Sequence, residues 1–311
     1  MDAACGTDNW DVLLYTKGNN VLAALPYYIK RKWGLRLVVQ PPLTQTNGIW
    51  INYPPLQKQV SRLSYEKETM RGVIAQLQRL GVALYLQDFH YSVTNWLPFY
   101  WSGFKQTTRY TYVLETLDSA ETLYAGLRCN IRHEIKKAEF QVTIKEDCPL
   151  SDFYAIHRQT FSRQGWDPPT SLAALQRIDQ ACLRRHCRKI LYAEDGNGAI
   201  HAAAYLVWDE NSAYYLLAGV DPRHKSSGAN SLLVWNAIRF AGRVTRRFDF
   251  EGTMIEPIEQ FFSGFGAIPK PYFRIYKSYL IHPDLWDVYQ RLKTAHKKTV
   301  YTVTHKLFRN G

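Results

Sequence analysis

Ser212-Ala-Tyr-Tyr-Leu-Leu-Ala-Gly219 runs into Val220-Asp-Pro-Arg-His-Lys-Ser-Ser-Gly228-Ala-Asn230, and the reading of this junction decides the fold. The first segment is an apolar, aromatic strand that Pro222 cannot continue, because proline has no N–H for a ladder. A helix starts at once beyond the basic, glycine-containing loop: Leu232, Trp235, Ile238 and Phe240 recur at roughly helical spacing and give it a buried face. A loop that opens a helix presents backbone N–H groups and the positive end of the macrodipole, which suits a phosphate or pyrophosphate. The expected phosphate contacts are Ser227, Gly228, Ala229 and Asn230, with Arg223 and Lys225 adding charge. A loop of lysine, serine and glycine is, by itself, more often an ordinary turn. The next strand, Arg247-Phe-Asp-Phe-Glu-Gly252, alternates strictly, so Asp249 and Glu251 are expected on one face, about 7 Å apart. Of these two candidate catalytic carboxylates, Asp249 reads as the more structural. Glu251, at the strand's carboxyl end, reads as the acid–base group.

The chain has 311 residues, enough for two domains, and 46% hydrophobic content with 21% charged residues describes an ordered globular protein. A net charge of +12 favours polyanionic partners: nucleic acid, phosphate-bearing substrates or an anionic membrane surface. Cys5, Cys129, Cys148, Cys182 and Cys187 are irregularly spaced, fit no common zinc pattern, and read as reduced thiols. With no signal peptide read at the start and no stretch apolar enough to span a bilayer, a cytoplasmic protein is expected.

In chain order, strands are expected over 11–16, 21–29, 35–40, 83–89, 109–115, 189–194, 200–208, 212–219 and 247–252. Helices are expected over 65–80, closed by Gly81, and over 93–101, 118–127, 151–164 and 171–185. The proline-bounded stretch 44–55 reads as an ordered loop that lines a groove. No helix is expected before the first strand. A comparison within the chain says more. Asp88-Phe89 precedes Ser102-Gly-Phe104 at the same separation as Asp249-Phe250 precedes Ser263-Gly-Phe265, and aromatic residues stand just before each Ser. A strand, a short helix and a turn thus occur twice, which suggests two copies of one fold. Histidine, His90, stands where the second copy has Glu251, and no basic glycine loop precedes the first copy's strand. Any activity is therefore expected in the second copy. Its opening helical stretch, Arg128-Cys-Asn-Ile-Arg132-His-Glu-Ile-Lys136-Lys-Ala138, puts Arg132 and Lys136 on one face, either as a solvated surface or as contacts to substrate phosphates. Trp166, in the 165–169 linker, is a candidate pocket wall or a core anchor.

Helices, a three-stranded meander, a phosphate loop with its helix, and a further strand resemble the GNAT acyltransferase superfamily, and within it the Fem-type branch of tandem GNAT-like domains. The residues carrying the resemblance are Asn130-Ile-Arg132-His-Glu-Ile-Lys136-Lys-Ala138, Gly228-Ala-Asn-Ser-Leu-Leu-Val-Trp235, and Phe248-Asp-Phe-Glu-Gly252 leading to Phe262-Ser-Gly-Phe265. The acetyl-CoA loop of the superfamily departs here, with Lys225 at its first place and Asn230 at its last. The resemblance implies an α/β (α+β) fold of tandem GNAT-like domains, each a mixed, mostly antiparallel sheet flanked by helices. The expected divisions are 1–115 as a truncated first domain, 116–285 carrying the donor site, and 286–311 as a basic C-terminal helix.

It further implies an N-acyltransferase of bacterial type. An acetyl, acyl or aminoacyl group would pass from acetyl-CoA, acyl-CoA or aminoacyl-tRNA, with no metal, to a primary amine of a phosphate- or pyrophosphate-bearing acceptor such as a peptidoglycan precursor at the cell envelope. Arg132, Lys136 and Trp166 would bind that acceptor, and the inner face of the membrane and tRNA are the further implied partners. Glu251 would accept the amine proton, and the N–H of Gly219 or Val220 would face the developing oxyanion. The rival reading is a non-catalytic GNAT scaffold that binds nucleic acid or a phosphorylated glycan, which the departing loop residues and the basic stretch 291–309 favour.

Overall fold

The computed structural model describes residues 1–162 and 167–280. In chain order the elements are α1 (Asp2–Cys5), β1 (Trp10–Lys17), β2 (Asn20–Lys32), β3 (Leu35–Val39), β4 (Trp50–Ile51), α2 (Gln59–Gln78), β5 (Leu84–Asp88), α3 (Leu97–Trp101) and β6 (Lys105–Leu114). There follow α4 (Ala120–Ala125), α5 (Cys129–Glu139), β7 (Val142–Glu146), α6 (Leu150–Ser162), α7 (Leu172–Leu183), β8 (Arg188–Asp195), β9 (Ile200–Trp208) and β10 (Ser212–Val220). The last are α8 (Ala229–Ala241), β11 (Arg247–Asp249), α9 (Glu256–Ser263) and β12 (Ile268–Ser278). The chain divides into two compact units, Met1–Arg109 with the segment from Pro271, and Tyr110–Lys270. Among the described residues no helix is long and apolar enough to cross a membrane.

In unit 1 the strand order is β1-β2-β3-β5-β12, with β4 on β2. β3 and β5 are parallel and the other pairs are antiparallel. β12 joins this sheet because Arg274 to Ser278 pair with Asp88 to Leu84, so the chain returns to unit 1 at Pro271 rather than at the expected boundary near 285. Pro269 and Pro271 hide this strand in the sequence, and both lie at its start, where missing N–H groups are tolerated. The helix expected over 65–80 begins six residues earlier. Its first turns are exposed, with Val60 at 77%, so they leave no apolar period to read. The later turns bury Met70, Val73, Ile74 and Leu77. Gly81 has the left-handed φ of +61° but lies beyond the cap, which is Arg79. α3 starts at Leu97 rather than Val93, with Pro98 in its first turn. Contrary to expectation, a helical turn does precede β1, held by the Trp10 indole donating to Asp2 (2.6 Å). Nor does 44–55 stay a plain loop: it contains β4, and Asn47 fastens it to Asp88 and Phe89.

In unit 2 the order is β6-β11-β10-β9-β8-β7; β8 to β10 form the antiparallel meander read from the two Asp-containing turns, and β7 adds to it antiparallel to β8. β10 and β11 are parallel. The apolar faces of α5 (Ile131, Ile135) and α8 (Leu233, Val234) share one core with Phe248, Phe250 and Phe265. β7, a charged edge strand, is not evident from the sequence.

Candidate active site

Two parallel strands that part are the centre of unit 2. β10 and β11 are in register only from Ser212–Arg247 to Tyr214–Asp249, after which β11 ends while β10 continues to Val220. Over its last six residues β10 therefore has no partner strand on that side within the β10–β11 ladder, and its edge amides and carbonyls face the gap. The ladder with β9 is broken by a bulge at Tyr215 to Leu217, a device that re-aims groups next to sites. Tyr215 closes the gap's inner end against Phe248, Phe250 and Phe262; its hydroxyl is buried and, among the described residues, unbonded.

β11 stops at Asp249, so the expected extension to Gly252 fails. Glu251 and Gly252 take φ of +57° and +58°, which no strand accommodates, and Asp249 accepts the Glu251 N–H at 2.8 Å. The two carboxylates thus stand on a turn at the parted end of the strands, not side by side on one strand face. Asp249 is 4% exposed and also accepts from Thr111. Burial lifts its carboxyl to about 6, against the opposing effect of its two donors. Glu251 is raised well above the usual carboxylate range, first by burial of the carboxyl and then by the neighbouring Asp249 charge. A positive φ at a non-glycine residue costs of the order of 1–3 kcal/mol, and such strain gathers at functional sites.

At the other end, β10 runs into a 3-10 turn, Pro222–Ser227, and α8 is entered through Gly228 at φ +78°. A Cβ there would lie 2.4 Å from the Glu134 carbonyl of α5, so both conformation and space demand glycine. Gly219 is likewise forced by close approach, since a Cβ would meet the α6 backbone at His157 (2.6 Å). Gly219 and Val220 remain paired with Ala203 and Ala202 of β9. His157, whose proton affinity burial lowers, holds the Ala218 carbonyl at 2.7 Å.

Residues 125–257 match the model of the acetyltransferase (GNAT) domain. The match spans most of unit 2. The fold of the chain is similar to that of FemX (TM-score 0.66, 10% identity, 90% of each chain). It is similar also to L-PGS from Bacillus licheniformis (TM-score 0.52, 12% identity, 87% of this chain and 86% of that one). A third likeness is to a conserved protein of unknown function from Bacteroides thetaiotaomicron VPI-5482 (TM-score 0.56, 11% identity, 89% and 91%). At these identities the likeness is one of fold. No curated protein matches the chain.

Within the matched region the loop residues divide into those free to meet a ligand and those spent internally. Lys225 is exposed and, among the described residues, has no carboxylate partner. Arg223 is tied to Asp221 (2.7 Å), which it holds below the ordinary carboxylate range. Ser227 is buried and its hydroxyl accepts the Ala229 N–H (3.2 Å), so that pair of expected phosphate contacts is satisfied within the turn. Asn230 keeps a buried side-chain oxygen without a partner among the described residues. Arg132 donates to the carbonyls of Ala125 (2.9 Å) and Leu127 (2.7 Å), closing α4 onto α5, and Lys136 is exposed one turn on. The cation that reaches the loop is Lys137, on the Ser226 carbonyl at 2.8 Å, and Glu134 bonds Ser231. Sequence reasoning missed both; the signal was the i, i+3 spacing from Glu134 to Lys137. Trp166 and 286–311 lie outside the described residues. Among the described residues no group of His, Cys, Asp and Glu is arranged to hold a metal ion.

Proposed function

We infer that unit 2 transfers an acyl group from a phosphate-bearing donor, acyl-CoA, to a primary amine, with Glu251 as the proton acceptor. One observation carries this reading: a carboxyl with raised proton affinity stands where two parallel strands part, at the open edge of β10. An exposed strand edge suits the amides of an extended donor arm, and Lys225, with the helix start at Gly228 to Asn230, suits its phosphates. The amine attacks the donor carbonyl as the neutral base. Its proton passes to Glu251, directly or through one water, and a β10 N–H near Gly219 or Val220 supports the oxyanion before the thiolate leaves. Asp249 serves as the positioning partner: it fixes the Glu251 turn through its N–H and raises Glu251 by like charge. Aminoacyl transfer, with aminoacyl-tRNA as donor and a cell-envelope amine bearing phosphate near Arg132 and Lys136, is the finer form of the same reading. A cytoplasmic enzyme working beside the membrane's inner face would meet both. The test is acyl-CoA-dependent modification of a panel of primary amines, read by mass. Modification is expected, with turnover lost but donor binding kept in Glu251→Gln; full turnover in that variant would remove Glu251 from the mechanism.

A further inference from the structure

Unit 1 has a groove that acyl transfer does not use. It is an open depression of about 560 Å³ between β1 and α2. Tyr15 forms its floor, lying so close to α2 that a Cβ at Gly72 would fall 2.2 Å from the ring. Lys67 and Arg71, one helical turn apart, stand on one wall, with Ser64 and Glu68 beside them. Neither cation has a carboxylate partner among the described residues. Instead both flank the Trp101 ring of α3, at 5.9 Å and 5.8 Å from its centroid. That indole is 51% exposed, and the contact steadies two long side chains that would otherwise range freely through solvent.

Two steadied, uncompensated cations suit a phosphate, and an aromatic floor suits a flat ring. Glu68 disfavours a bare anion but suits the hydroxyls of a ribose, which carboxylates commonly accept. We propose that this groove binds a nucleotide, with its phosphate on Lys67 and Arg71, its base on Tyr15 and its sugar hydroxyls on Glu68 and Ser64. A free nucleoside phosphate and a single-stranded RNA end both supply that chemistry.

The experiment titrates the full chain with AMP, with inorganic phosphate and with a single-stranded oligoribonucleotide, in the natural protein and in Lys67→Ala/Arg71→Ala. Lys225→Glu serves as the control for nucleotide binding in unit 2. Saturable AMP binding is expected, weakened at least tenfold by the double substitution and unchanged by Lys225→Glu. Equal affinity for AMP and the oligomer identifies a free nucleotide as ligand. An oligomer bound at least tenfold tighter, with a salt dependence that the double substitution flattens, identifies RNA. Both substituted positions are on the helix surface, so the variant's melting temperature is expected to match the natural protein's. AMP binding no tighter than that of inorganic phosphate, AMP binding that survives the double substitution, or no binding of any probe overturns the proposal. None of these outcomes bears on amine acylation in unit 2.

Discussion

Asp88 and Asp249 occupy the same place in two copies of one pattern, and their surroundings make them opposites. Each ends a strand (β5 or β11), each is 4% exposed, and each is followed by a core phenylalanine packed on further aromatic rings. Asp88 receives a two-pronged ion pair from Arg274 of β12, at 2.6 Å and 2.7 Å. Asp249 receives a hydroxyl and an N–H and, among the described residues, no cation, so burial keeps its proton affinity high. Two residues on, His90 bonds Ser92 and lies tilted against Tyr91, while Glu251 turns through a positive φ. A buried carboxylate given a cation becomes a fastening; one left without a cation becomes a site for a proton.

The sharpest way to break this contrast is to substitute the residue two positions after each Asp. Glu251→Gln is expected to lower turnover by roughly 10²–10⁴-fold, whereas His90→Gln should leave it unchanged, as steady-state rates with a saturating amine will show. In the natural protein the rate should rise with pH through a window above the ordinary carboxylate range, since Glu251 must lose its proton to act.

Next in size is Arg274→Met, which strands Asp88 without its partner. Denaturant unfolding should show a loss of about 3–5 kcal/mol.

Asp249→Asn should act the other way at neutral pH. Asp249 titrates higher in the folded chain, so its contribution to stability is full below about pH 4 and is lost as pH rises through about 6. The rise from 3.8 to about 6 corresponds to ~3 kcal/mol. Asn keeps an acceptor for Thr111 and for the Glu251 N–H. The variant should therefore match the natural protein at pH 4 and exceed it by up to that amount at pH 7. A difference independent of pH would contradict the assignment. The smallest effect belongs to Thr111→Val, about 1 kcal/mol from one lost hydrogen bond, felt more at neutral pH than at pH 4 because the hydroxyl favours the ionised Asp249.

Much of unit 2 was legible because its signals are local. The meander has tight Asp-containing turns, α8 carries a helical apolar period, and the Asp-Phe pattern repeats. What escaped the sequence depends on side-chain competition for the backbone and on tertiary contact. Strict alternation over 247–252 predicted a strand, yet an Asp side chain competing for the Glu251 N–H ended it at Asp249. Gly228 was legible as a helix start, but its need for glycine comes from the Glu134 carbonyl on a distant helix. Spacing to Arg132 singles out Lys136, and only the fold shows that Lys137 reaches Ser226. β12 escaped because a strand with two prolines reads as a loop until β5 is seen beside it.

The measurement that bears most directly on acyl transfer by unit 2 is calorimetric titration with acetyl-CoA, and with desulfo-CoA, at near-physiological salt. Saturable micromolar binding is expected, weakened at least tenfold in Lys225→Glu and unchanged in Glu251→Gln. Absence of acetyl-CoA binding, together with no transfer from aminoacyl-tRNA to any amine, would contradict the assignment and leave a non-catalytic GNAT scaffold.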